Sequence, residues 1–232
     1  MRNKILPLSI LILLISTFGM FFLKIQLHFP TYVAMSLFTV VSIILWYLFL
    51  KKDLPITYTI SNTQTLRQSL LLVILPITAL SYFASTGFNS LSSGVLLYML
   101  ISSLAVGIYE EFLFRGIVFG SLLKSNITPK RAVLYSAILF SLFHLVVAKD
   151  YAAVDIALKL FNTFILGVIL AYLYYAVGSI FYVIFIHTLW DLVSSISQEY
   201  PLDDILFAIT LILFAMSILY TSWSLKRLSS HG

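Results

Sequence analysis

The sequence predicts an all-α fold: a polytopic membrane helix bundle of about eight transmembrane helices, with both termini cytoplasmic. Three observations carry that prediction. Of the 232 residues, 61% are hydrophobic and only 10% are charged, against about 45–50% and about 25% in a soluble domain. Mean hydropathy is +1.04, and the apolar runs are long, without the period-two alternation of an outer-membrane barrel strand. The third observation is local. Inside one such run lies Ile108-Tyr109-Glu110-Glu111-Phe112-Leu113-Phe114-Arg115, with two carboxylates and a guanidinium. A charge at mid-membrane costs roughly 2.5–3.5 kcal/mol on insertion scales, so three together call for a functional reason.

The composition also excludes. Cysteine is absent, which removes disulfides, thiolate metal sites and cysteine nucleophiles. The net charge of +5 comes without a basic arm or a Lys/Arg-rich run. Nucleic acid is therefore not an expected partner, and the excess fits the positive-inside rule.

At about 20 residues per span, the chain divides in order. Ile5 to Leu23 follows Arg2 and Lys4; it is longer than a signal-peptide core and lacks a small-x-small cleavage site, so an uncleaved span is expected. The second span is Tyr32 to Leu50, closed by Lys51-Lys52-Asp53 and Pro55. After a Thr-rich stretch at 54–66, the third runs from Gln68 to Ala84, with Pro76 as a kink. Thr86 to Ser93 reads as a turn. The fourth helix, Gly94 to Leu123, holds the charged stretch between Gly107 and Gly116, and its length predicts strong tilt or a break. Thr128-Pro129 opens the fifth helix, expected to continue to Val147. Lys149 to Asp155 is a polar connection. The sixth span is Ile156 to Ala176, Gly178-Ser179 makes a turn, and the seventh is Ile180 to Ile196. After the 198–204 loop with Pro201, the eighth is Ile205 to Trp223, ending at Lys226-Arg227.

The basic residues orient this array. With an even number of spans, one side receives ten: Arg2, Lys4, Lys51, Lys52, Arg67, Lys124, Lys130, Arg131, Lys226 and Arg227. The other receives three: Lys24, Lys149 and Lys159. The richer side is cytoplasmic by the positive-inside rule. No repeat or second domain interrupts residues 1–232, which read as a single integral membrane domain with a core at roughly 95–195.

Three helices carry ionisable groups far from their expected ends. They are Glu110, Glu111 and Arg115 on the fourth, His144 on the fifth, and His187 with Asp191 on the seventh. At 1.5 Å per residue these lie about 12–22 Å in from the cytoplasmic ends, in one layer. Glu111 and Arg115, at i and i+4, face each other with Glu on the favourable N-terminal side. Glu110 lies about 100° round the helix and cannot share that face, so it is the freer carboxylate. His187 and Asp191, again at i and i+4, point to one side. Each feature alone has a structural reading as a staple, a packing residue or an interhelical clamp; their common depth argues for a joint purpose. His28 and His231 belong to loop and tail. The many aromatics read as lipid-facing surface, core or interfacial belt.

A carboxylate and an imidazole that share a water can take its proton and make a nucleophile for a carbonyl carbon. A second imidazole can hold the developing oxyanion. Glu110, His144 and His187 could instead ligate Zn²⁺ or another divalent cation and activate its water. No His-Glu-x-x-His pair is present, so a zincin-type site is not expected. Both routes lead to amide hydrolysis within the membrane plane.

These residues resemble the CPBP family (CAAX protease and bacteriocin-processing, or Abi). Its motifs are Glu-Glu-x-x-x-Arg, Phe-x-x-x-His and His-x-x-x-Asn/Asp. Here they are Glu110-Glu111-x-x-x-Arg115, Phe140-x-x-x-His144 and His187-x-x-x-Asp191, in that order. The resemblance implies an intramembrane endopeptidase, often termed a metalloprotease. Glu110 and His144 would activate water, His187 and Asp191 would stabilise the oxyanion, and Glu111 with Arg115 would be the structural pair. Asp191 stands where prenyl-protein proteases of the family often carry Asn; a carboxylate could equally orient His187 or bind a metal. The resemblance also implies a multi-pass protein of a bacterial plasma membrane, its partners being the bilayer and a peptide or membrane-protein substrate. Peptide pheromone or bacteriocin maturation and self-immunity are the roles linked to the bacterial branch. Two other classes compete: a non-catalytic immunity or regulatory protein, and a proton-coupled transporter. The second would favour paired broken helices, and one Gly-flanked segment is found.

Overall fold

The computed structural model describes residues 2–52, 54, 92–147 and 152–199, with Met216, Leu219 and Trp223 as isolated positions. The described residues form helices and connections, without a strand. Helix α1 (Arg2–Phe21) continues into a π-helical turn, Phe22–Gln26, and α2 spans Thr31–Phe49. Helix α3 (Ser93–Glu111) passes through a π-helical segment (Phe112–Phe119) into α4 (Gly120–Lys124). Helix α5 is Pro129–Phe143, followed by a 3₁₀ turn at His144–Val147. Helices α6 (Ala153–Val177) and α7 (Ile180–Glu199) complete the described set. The expected third span and its Pro76 kink lie outside the described residues, as does the eighth span apart from the three isolated positions.

Among the described residues, four helices are long and apolar enough to cross a membrane: Lys4–Gln26, Thr31–Phe49, Ser93–Lys124 and Ala153–Val177. Ile180–Ile196 is a shorter apolar helix. Their outward residues are large and apolar, such as Phe18, Leu48, Leu97 and Phe181, all exposed. A face of this kind suits hydrocarbon, where no water is present to penalise it.

Two expectations are corrected. Of the strong tilt or break expected for the fourth helix, the break does not occur: residues 93–124 are helical throughout, and a π-helical segment begins directly after Glu111. From Leu113 to Phe119 this segment is buried on all sides, which makes it the centre of the bundle. Wider i→i+5 turns strain the carbonyl ladder. Here the Phe114 carbonyl accepts from Ser136 Oγ of α5 at 3.3 Å. The second correction concerns the fifth helix, which ends as an α-helix at Phe143 and not at Val147. The His144 ring takes the Phe140 carbonyl through Nδ1–H at 2.8 Å. The His144 backbone N–H turns instead to the Ser141 and Leu142 carbonyls, tightening the chain into the 3₁₀ turn. The remaining boundaries among the described residues fall within a few residues of expectation. Helix α6, for example, starts at Ala153 and so draws Asp155 into its first turn.

Helix α6 packs along α5, and α7 packs along α3. Helices α1 and α2 pair with each other; α2 packs on α3, and α1 on the π-helical segment and α4. Buried hydroxyls join these helices: Ser16 with Ser42 at 2.7 Å, and Ser9 with Ser121. Such interhelical hydrogen bonds and close small-residue contacts take over where lipid supplies no hydrophobic drive for association.

Candidate active site

The π-helical segment, α5 and α7 converge on the charged stretch. Arg115 is fully buried, with one terminal nitrogen 2.8 Å from Glu111 Oε1 and the other donating to the Gly167 carbonyl of α6 at 3.2 Å. Its guanidinium lies over the Phe140 ring, 4.4 Å from the centroid. The aromatic residue of the Phe-x-x-x-His motif is thus the apolar bed of the cation, a contact that strengthens when water is excluded. Gly167 lies close against Ala137: a Cβ there would sit 3.1 Å from the Ala137 Cα. That approach brings the carbonyl of α6 within reach of Arg115.

Glu111 has a second partner. His187 Nδ1 stands 2.6 Å from the same Oε1. A carboxylate only accepts, so Nδ1–H donates and the lone pair or second proton of His187 is left at Nε2. Glu111 is therefore joined to both α7 and its own helix, at 0% exposure. Glu111 Oε2 and Arg115 Nε make no hydrogen bond among the described residues. The i, i+4 pairing of Glu111 with Arg115 holds, while the His187 link crosses helices and no spacing within one helix could announce it.

Glu110 differs. It is buried, and its Oε2 has no hydrogen-bond partner among the described residues. Two imidazole nitrogens face that oxygen: His144 Nε2 at 3.9 Å and His187 Nε2 at 3.8 Å. The Nδ1–H bond of His144 to the Phe140 carbonyl leaves its neutral Nε2 as an acceptor. Asp191 Oδ2 lies 3.6 Å from His187 Nε2. The predicted residues thus come together: Glu110, His144, His187 and Asp191 in one cluster, Glu111 and Arg115 beneath it. The cluster opens at one edge, where the His144 and Asp191 side chains are 17% and 26% exposed. Sequence reasoning missed Gly167, Ser136 and the cation-bearing role of Phe140; none carries a charge to signal it.

Among the described residues no group of three His, Asp or Glu side chains is set to hold a metal ion. Tetrahedral Zn²⁺ with bonds of about 2.0–2.1 Å would bring its donors to roughly 3.3 Å from one another. The separations here, 3.6–3.9 Å, are wider. Glu110, His144 and His187 do not form a metal-ligand set as they stand, and the chemistry proposed below rests on protein groups and water.

The fold and the cluster define a class: a helical membrane protein with a buried acid–imidazole site. Residues 92–193 match the family model described as Rce1-like, type II CAAX prenyl endopeptidase Rce1-like. That segment contains all three motifs and is consistent with the CPBP resemblance they carry. Comparison with curated proteins and with solved structures gives no match.

Proposed function

We propose that this protein is an intramembrane endopeptidase of the CAAX-protease type, acting through a water activated by Glu110 and His144. One observation carries the reading: Glu110 Oε2, buried and without a hydrogen-bond partner, faces two imidazole nitrogens at 3.8 and 3.9 Å. Two acceptors separated in this way suit a water that donates to both. The Rce1-like match over 92–193 supports the same reaction class.

The steps follow from the donors. Water gives one proton to Glu110, with His144 Nε2 accepting its other O–H, and its oxygen attacks the scissile carbonyl carbon. The carbonyl π electrons move to oxygen, and His187, as the imidazolium, offers Nε2–H to the oxyanion. Glu110 then returns its proton to the amide nitrogen as the C–N bond breaks, leaving a carboxyl and an amine product. Asp191, 3.6 Å from His187 Nε2, orients the imidazolium through its charge and leaves Nε2–H to the oxyanion, because a carboxylate cannot itself donate. Glu111 and Arg115 hold His187 in place. Substrates in this reading are peptides or membrane proteins reached from the bilayer, with peptide pheromone or bacteriocin maturation as the candidate role. The same reading keeps the eight-span arrangement, with both termini cytoplasmic, in a bacterial plasma membrane.

The test compares membrane-peptide termini from cells with the wild-type protein and with Glu110→Gln. New termini should appear only with the wild type. Identical termini in both, with equal protein in the membrane, would overturn the proteolytic reading and favour a non-catalytic peptide-binding protein.

A further inference from the structure

We infer that Gly107 is a positioning residue: by lacking a side chain where α3 meets Thr188 of α7, it seats His187 against Glu111. The inference rests on the proposed proteolytic reading for its effect on turnover, and on geometry alone for its effect on the helices.

A Cβ built on Gly107 would lie 2.6 Å from Thr188 Oγ1, 3.3 Å from the Ile184 carbonyl oxygen and 3.3 Å from the Thr188 backbone nitrogen. Two of the three are backbone atoms and cannot rotate away. A methyl group at this position requires Thr188 and the facing backbone of α7 to give way. Thr188 adds a second sign. Thr17, Thr39 and Thr163 each return their hydroxyl to the carbonyl four residues back. The Thr188 hydroxyl does not; it is buried, without a hydrogen-bond partner among the described residues, and turned to Gly107.

The position of this contact gives it leverage. Gly107 lies three and four residues before Glu110 and Glu111, on the same side of the helix. Thr188 is the residue after His187. The helix spacing at Gly107 therefore sets the reach of His187 to Glu111 Oε1, now 2.6 Å, and to Glu110 Oε2, now 3.8 Å. A wedge of a few tenths of an ångström at Gly107 lengthens both. Displacement of a catalytic group by about 1 Å can cost about 100-fold in rate.

Because the chain has no cysteine, spin labels can be placed at Leu104→Cys on α3 and Phe181→Cys on α7, both exposed in the native protein. Their separation is measured in detergent alongside proteolysis. Gly107→Ala should widen the α3–α7 distance and lower proteolysis about 10-fold, and Gly107→Val should do so about 100-fold. Adding Thr188→Ala to Gly107→Ala should recover part of both. Gly94→Ala, where an added Cβ meets nothing within 4 Å, should change neither. An unchanged distance in Gly107→Val overturns the inference, and so does a widened distance with full proteolysis. If Glu110→Gln also leaves proteolysis intact, the catalytic reading fails. The distance then still decides whether Gly107 sets the helix spacing.

Discussion

Glu111 has Arg115 at 2.8 Å and His187 at 2.6 Å on one oxygen, and is fully buried. Glu110, its neighbour in the chain, is almost as buried, yet its Oε2 faces nitrogens at 3.8 and 3.9 Å and bonds none of them. The two carboxylates differ in which side of α3 they occupy. Glu111 points to where the π-helical segment, α6 and α7 supply a cation, a carbonyl and an imidazole. Glu110 points to the cluster edge where His144 and Asp191 are partly exposed. A carboxylate tied into a network stabilises the fold at the expense of reactivity. One left with open acceptor capacity can take a proton from water. In the proposed reading, the protein divides structural and chemical duty between adjacent residues.

The largest expected effect falls on the open side. Glu110→Gln removes the proposed general base and should lower proteolysis by about 10²–10⁴-fold. Thermal inactivation in detergent should hardly change, because Oε2 makes no hydrogen bond to lose. A large stability loss in this variant would erase the contrast between the two carboxylates.

On the closed side the effect should reverse. Arg115→Met leaves Glu111 buried beside an imidazole and without its cation, a situation that typically costs about 3–5 kcal/mol. Helix content and resistance to unfolding should fall together. The double variant Glu111→Gln/Arg115→Met should lose less than Arg115→Met alone, since the buried carboxylate deprived of Arg115 is gone as well. If the double variant is the worse of the two, the pair contributes more than mutual neutralisation.

Smaller effects sharpen the same comparison. Phe140→Leu removes the ring under Arg115 and should cost about 0.5–2 kcal/mol from the cation–π contact, beyond any repacking loss. Ser136→Ala strips the α5 donor from the Phe114 carbonyl and should cost about 1 kcal/mol. Both belong to the Arg115 side, so both should register in stability before activity.

Much of this division was legible in the chain. The Glu-Glu-x-x-x-Arg spacing was enough to pair Glu111 with Arg115 and to leave Glu110 over, because i and i+4 share a helix face whatever the surroundings. The three motifs at common depth were enough to gather Glu110, His144, His187 and Asp191. What escaped is of another kind. The π-helical segment after Glu111 depends on hydrogen-bond choices between i+4 and i+5 carbonyls, which packing around Leu113 to Phe119 decides. His144 was expected within a helix; its ring captures the Phe140 carbonyl and ends that helix instead.

Composition and periodicity by themselves determined that this chain is a bundle of membrane helices with a buried acid–imidazole layer. Those properties follow from transfer energies and helical pitch, which act residue by residue. Only the tertiary structure decided that His187 spans from Glu111 to Glu110 and that Arg115 lies on Phe140 beneath the Gly167 carbonyl. Those relations depend on how closely separate helices approach. Uncharged residues such as Gly107 and Gly167 set that distance through the Cβ atoms they lack.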